Sequence, residues 1–189
     1  MMNSAAPKAL PLARTNAEAH LFLELQPCPS CGETGCAFRS AVISVDNVLA
    51  SRYNGECPRC GAERIYRFRI PDEILPPPDD SVCFGAEAPS ELIDPGVWLW
   101  YSDLAAAQVP ADTARLDEPA KRSARHAAAT ALAAVGEVLK FIPPDAESVP
   151  PPTFTSLDGR SVYESEPGRF SRLRLTAIRD YYAERLAGW

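Results

Sequence analysis

Two short repeats constrain this chain more than anything else in it. Cys28-Pro-Ser-Cys31-Gly32 is followed by Cys57-Pro-Arg-Cys60-Gly61, with 25 residues between Cys31 and Cys57. Two thiols at i and i+3 on a tight turn face one point, and the glycine after the second Cys allows the left-handed backbone that aims amide N–H groups at sulfur. Two such turns supply four ligands, enough to close a tetrahedral Zn²⁺ site with no open position. The same four cysteines could pair as two disulfides only in an oxidising compartment. Residues 1–14 are broken by Pro7 and Pro11 and lack the apolar core of an export signal, so a cytoplasmic protein is expected. Iron also suits four thiolates, but zinc is the usual occupant of a closed site, and one structural zinc ion is the expected cofactor.

Three strands are expected around the knuckles. Residues 37–45 form the first, Asp46-Asn47 a turn, residues 48–54 the second and residues 62–70 the third. In the third strand Tyr66, Phe68 and Ile70 alternate with Arg67 and Arg69, and Pro71 ends it. On these features residues 26–71 resemble the zinc ribbons, in which two CxxC knuckles pin a three-stranded antiparallel sheet. The resemblance implies metal binding by Cys28, Cys31, Cys57 and Cys60. It implies no particular activity, because zinc ribbons serve transcription, translation, enzymes and protein docking alike. Cys36 and Cys83 are expected to be small buried thiols.

The rest of the chain reads as helical, which makes the fold class α+β. A short helix over 16–25, capped by Asn16, would use Leu21, Phe22 and Leu25 as its apolar face. Leu75-Pro-Pro-Pro-Asp-Asp is a stiff crossing. The expected organisation is therefore an N-terminal segment (1–25), the ribbon (26–71), an acidic Pro-rich linker (72–89) and a helical domain (90–189). In that domain Ser90 would cap a single turn over 91–94, and Pro95 would open a helix over 96–107. Asp117-Glu118-Pro119 would open another, running to about 141, with Ala124, Ala128, Ala131, Val135 and Val138 on one face. Val149-Pro-Pro-Pro152 reads as a second linker. Pro167 would start a last helix with a stripe of Phe170, Leu173, Ala177, Ile178, Tyr181 and Leu186. Tyr53-x-Gly55-x-Cys57-Pro-x-Cys60-Gly61, together with Ile93-Asp94-Pro95-Gly96-x-Trp98-Leu99, resembles zinc-ribbon proteins of GC-rich bacteria, a likeness that names no activity.

Charge separates the functional readings. The net charge is −6, but residues 72–118 hold eleven acidic groups against Arg115 alone, giving −10. Such a block suits a basic protein partner and repels phosphate backbones, although a merely solvated surface would carry the same charge. Asp94, Trp98, Trp100, Tyr101 and Asp103 are the candidate contact residues, with core packing the competing role for the aromatics. Size, acidity and the lack of catalytic patterns are similar to those of immunity proteins of bacterial toxin systems, whose acidic surfaces plug basic toxin sites. The alternative is a nucleic-acid-associated factor contacting backbones through Arg64, Arg67 and Arg69. Against it, a zinc ion with four thiolates carries a formal −2, which cancels the +2 of residues 28–71. No G-x-S-x-G, Walker-type glycine loop, H-E-x-x-H or dinucleotide glycine pattern occurs, so no catalytic residue is expected. Cysteine chemistry would require Cys36 or Cys83 to meet His20 or His126. No apolar run approaches the roughly 20 residues that span a bilayer, so no membrane partner is expected.

Overall fold

Asp46 and Asn47 both hold left-handed backbone, with φ of 50° and 64°. That pair of conformations belongs to a two-residue type I′ hairpin turn, whose twist matches that of the strands it joins. In the computed structural model, which describes residues 9–73, 82–112 and 116–188, this turn joins β1 (Phe38–Val45) to β2 (Val48–Glu56). Val45 lies opposite Val48 and Phe38 opposite Gly55. β3 (Glu63–Arg69) pairs antiparallel with β2, so the sheet order follows the chain. The free edge of β3 is covered by residues 11–13: the Arg69 N–H donates to the Pro11 carbonyl at 2.8 Å, and the Ala13 N–H to the Arg69 carbonyl at 3.1 Å.

One face of the sheet carries the aromatic residues. Tyr53, opposite Tyr66, and Phe68, opposite Ser51, share it with Arg64, opposite Gly55. Helix α1 (Asn16–Leu25) lies against this face, with Phe22 edge-on to both Tyr66 and Phe68 and His20 edge-on to Tyr53. The cap of α1 corrects the sequence expectation. Thr15, in extended backbone, accepts from the Glu18 N–H, while Asn16 is already helical and its Oδ1 accepts from the Tyr53 hydroxyl at 3.0 Å. Leu23 is buried in addition to Leu21. Beneath the helix start lies a buried ion pair absent from the sequence reading. Arg14 grips the Glu18 carboxylate through Nε and Nη2, with the closest contact at 2.7 Å, and its own backbone N–H adds a third donor.

The chain divides into two compact units, residues 1–75 and 76–189. In the second, α2 (Pro95–Ala106) and α3 (Glu118–Leu139) pack together, α5 (Arg172–Ala187) lies against α3, and α4 (Leu157–Ser165) against α2. Alanine explains the closeness of the first pair: Ala124, Ala127, Ala128, Ala131 and Ala134 are all buried along α3. There the fully buried Ser102 hydroxyl reaches the Ala131 carbonyl across the helices at 2.8 Å. Trp98, Leu99, Val135, Val138, Phe154, Phe170 and Leu175 complete the core.

One carboxylate starts two helices. Asp94 caps α2 by accepting from the Gly96 and Val97 N–H groups at 2.9 and 3.1 Å. Its other oxygen accepts from the Ser156 N–H at 2.8 Å and from the Ser156 hydroxyl, and that hydroxyl in turn caps α4 at the Gly159 N–H. Gly96 and Gly159 meet at this junction, where a Cβ on Gly159 would fall onto the Asp94 carboxylate.

Three helical expectations are corrected. Residues 91–93 form a bend rather than a helical turn, although Ser90 does accept from the Leu92 and Ile93 N–H groups. Val149 is 1% exposed and Pro151–Thr153 is a tight 3-10 turn, so this segment packs into the unit and is not a linker. The last helix starts at the Ser171 cap, not at Pro167, which opens a separate 3-10 turn. Its inward phase is therefore Leu175, Ile178, Tyr182 and Leu186, while Leu173 (81% exposed) and Tyr181 (52%) face outward. Helix α4 was not anticipated, since Gly159 is its sole buried residue. The polyproline crossing at 75–80 and Arg115 lie outside the described residues. Among the described residues no helix is long and apolar enough to cross a membrane.

Candidate metal centre

The two knuckles are the same local structure made twice. In the first, the Cys28 N–H donates to the Glu33 carbonyl (2.7 Å) and the Gly32 N–H to the Cys28 carbonyl (2.8 Å). In the second, the Cys57 N–H donates to the Ala62 carbonyl and the Gly61 N–H to the Cys57 carbonyl, both at 2.9 Å. Gly32 and Gly61 close these loops in left-handed backbone, with φ of 77° and 72°, which any Cβ would strain. The hairpin of β1 and β2 carries the chain from one knuckle to the other, and β3 leads out of the second.

All four ligand sulfurs lie within 4.8 Å of one another, with Cys31 to Cys57 at 3.5 Å and Cys28 to Cys60 at 3.7 Å. A disulfide would bring sulfurs to about 2.05 Å. Four sulfurs each about 2.3 Å from one ion stand about 3.8 Å apart along a tetrahedron edge, so the spacing is that of a metal cage. Cys28 and Cys57 are buried, Cys31 is half-buried and Cys60 is exposed, so the cage sits at the surface of its unit with two ligands rooted in the core.

The cluster's own electrostatics call for a cation. The Ser30 amide, joined by the Cys31 amide and the sulfurs of Cys57 and Cys60, outweighs burial and lowers the Cys28 thiol from 9.0 to about 6. The Ala62 amide pulls Cys60 down, but Cys31, burial, Cys57 and Cys28 together push it up to about 12. At Cys31 the Glu33 amide likewise lowers the value, and burial with the Cys57 and Cys28 sulfurs leaves it raised. Four thiols this close ionise together only when a positive ion offsets their mutual repulsion. The residues present therefore fit a metal ion held by four thiolates, with no ligand position left over.

Cys36 and Cys83 stand outside the cage. Each is half-buried rather than buried, with the Cys36 thiol on the Glu56 carbonyl at 3.3 Å and the Cys83 thiol on the Gly85 carbonyl at 3.6 Å.

The candidate contact residues are divided by the fold. Asp94 is buried in the two-helix junction and Trp98 is fully buried, so neither presents a surface. Tyr101 is half-buried against Phe84. Asp103 is held by Arg169 at 2.7 Å. Trp100 remains outward at 43% exposure, with Leu104 beside it one turn on at 45%, a neighbour that helical spacing alone would have revealed.

The candidate nucleic-acid arginines are also divided. Arg64 lies on the aromatic face, 3% exposed, and cannot act with Arg67. Arg69 donates to the Leu10 carbonyl at 2.6 Å. The pairing register adds two residues missed in the sequence. Arg52 stands directly opposite Arg67, and Arg39 belongs to the same face through the Ala41–Arg52 pair. No family model matches the chain, and no curated protein and no solved structure matches it either.

Proposed function

We propose that Cys28, Cys31, Cys57 and Cys60 hold one structural zinc ion, and that the chain is a non-catalytic protein that docks a basic protein partner. The observation that carries the metal reading is the cage of four sulfurs within 4.8 Å, built on two matching knuckles. Four thiolates fill a tetrahedral ion's coordination and leave no place for a reactive water, so the ion's work is to fix the ribbon. Docking falls to the second unit. There the outward Trp100 and Leu104 form an aromatic and aliphatic anchor pair on α2, within the stretch that carries a net −10. A bacterial toxin neutralised by its immunity protein is the kind of basic partner this surface suits.

Native mass spectrometry of the purified chain is expected to find one zinc per molecule, lost in Cys57→Ser. A metal-free wild-type protein would end the reading. Cross-linking in cells is expected to trap a basic protein with the wild type and not with Trp100→Ala. Equal trapping by both would remove the docking surface. A second reading rests on the Arg39, Arg52 and Arg67 face, because two arginines directly opposite one another repel unless an anion lies over them. A low-salt gel shift abolished by Arg52→Glu would favour nucleic acid over protein.

A further inference from the structure

The two edges of the ribbon sheet are finished differently. Residues 11–13 cover β3, whereas β1 has a strand on its β2 side only. Among the described residues no backbone hydrogen bond reaches its outer side. An open edge is a template for another strand, and natural chains blunt it with Lys, Pro, a bulge or a short length. β1 uses none of these. It runs eight residues, Phe38-Arg-Ser-Ala-Val-Ile-Ser-Val45, in unbroken register with β2, and Arg39 is its only charge. Arg39, Ser40, Ala41, Val42 and Ser44 are all exposed.

The direction of the unused backbone groups follows from the ladder. The Ile70 N–H donates to the Leu49 carbonyl, so Leu49 and, by alternation, Ser51 and Tyr53 turn their backbone toward β3. Val48, Ala50, Arg52 and Asn54 therefore face β1, where they pair with Val45, Ile43, Ala41 and Arg39. The backbone of Ser40, Val42 and Ser44 is left pointing outward, with Val42 in the middle.

That trio reads the same in both directions. Let a second β1 lie antiparallel to the first, about a two-fold axis at Val42. Val42 of each copy then meets Val42 of the other, and each Ser40 meets a Ser44, every pair exchanging both N–H···O bonds. The side chains agree with this register. Val42 is 68% exposed and Leu49, its diagonal neighbour on the same face, 60%, so the two copies join their Val–Leu pairs into one apolar band. On the other face the small Ala41 comes opposite the larger Ile43. At each end Arg39 comes beside the exposed turn residue Asp46 of the second copy, which pairs opposite charges twice. A parallel arrangement would set Arg39 beside Arg39 instead.

We propose that β1 is a homodimerisation edge: two copies of this chain pair through it, antiparallel and centred on Val42, and their ribbon sheets become one continuous sheet. The occupant of the edge is a second copy, because the outward backbone groups, the exposed side chains and the end charges all complement themselves. This surface is separate from Trp100 and Leu104 on α2.

The test uses the full-length, zinc-loaded chain in sedimentation equilibrium over a range of concentrations. The wild type is expected to rise from the 20.5 kDa of one chain to twice that mass. Position 42 faces its own copy across the axis, so Val42→Glu and Val42→Lys should each stay at the single-chain mass. An equimolar mixture of the two should recover the doubled mass. Val42→Pro removes only an outward N–H, leaves the β2 ladder whole, and should weaken the dimer about tenfold. A wild type that keeps the single-chain mass up to about 1 mM overturns the proposal and leaves the edge to a strand of another protein. A dimer that survives both Val42→Glu and Val42→Pro overturns it too, since the copies then meet elsewhere. A mixture of the Glu and Lys chains that stays monomeric does the same for the axis at Val42. Hydrogen exchange on the wild type needs no variant to fold: protection of the Ser40, Val42 and Ser44 amides should increase with concentration, and protection that does not change with it overturns the proposal.

Discussion

Arg14 and Glu18 tie the start of α1 by a contact that is nearly anhydrous, with side chains 4% and 0% exposed. Glu18→Ala takes away the buried carboxylate that Arg14 grips at the start of α1, so it is expected to destabilise the first unit by about 3 kcal/mol in denaturant titrations. Replacing both with apolar residues of similar size is expected to cost far less, and a double variant as unstable as the single would contradict this account. Asp94 is a second residue whose loss reaches beyond its own helix. Asp94→Ala removes the cap of α2 and the anchor of the Ser156 cap on α4, and about 1 kcal/mol per cap should appear as a lowered melting temperature. Neither pair was legible in the sequence. Glu18 looks like any helical glutamate, and Asp94 looks like the end of a turn, because what makes each one structural is a partner set by folding. The cysteines were legible because a metal knuckle declares its ligands by local spacing alone.

At the scale of elements, the β hairpin and the helices were read with different success for a physical reason. Strand 3 alternates strictly, and Asp46-Asn47 are two of the few residue types that tolerate left-handed backbone, so turn and register follow locally. Asn47→Gly should relieve the strain of a side chain at φ 64° and raise the hairpin's stability by about 0.5 kcal/mol, read from the unfolding midpoint; a fall would show that Asn47 makes a compensating contact. The last helix offers two apolar stripes, one residue out of phase. Which of them turns inward is decided by Phe170 and Leu175 meeting the core, not by the pattern of α5 itself. Helix α4 is hidden for the opposite reason: its glycine approaches Asp94 so closely that backbone, not an apolar face, makes the contact.

Across the whole molecule, the two units differ in what holds them. The first pairs a small aromatic cluster with a sulfur cage, and units of its size commonly need such a staple. The second has a continuous helical core of its own. Chelation is therefore expected to unfold the sheet while the helical circular dichroism of α2, α3 and α5 persists; a single concerted loss of both would contradict the division. Acid should act as the chelator does. The thiolate is the binding form, and protons compete with the metal for it. Zinc is therefore expected to be retained at neutral and alkaline pH and released as pH falls, which a metal-sensitive dye can follow. Release that grows with rising pH would reverse the sign and refute the thiolate centre. All four sulfurs come from residues 28–60, with a hairpin as the intervening loop. Both knuckles and the strands that join them close within the first unit, so a nascent chain can capture its ion while the helical half is still being translated, and metal supply then acts before any partner can be met.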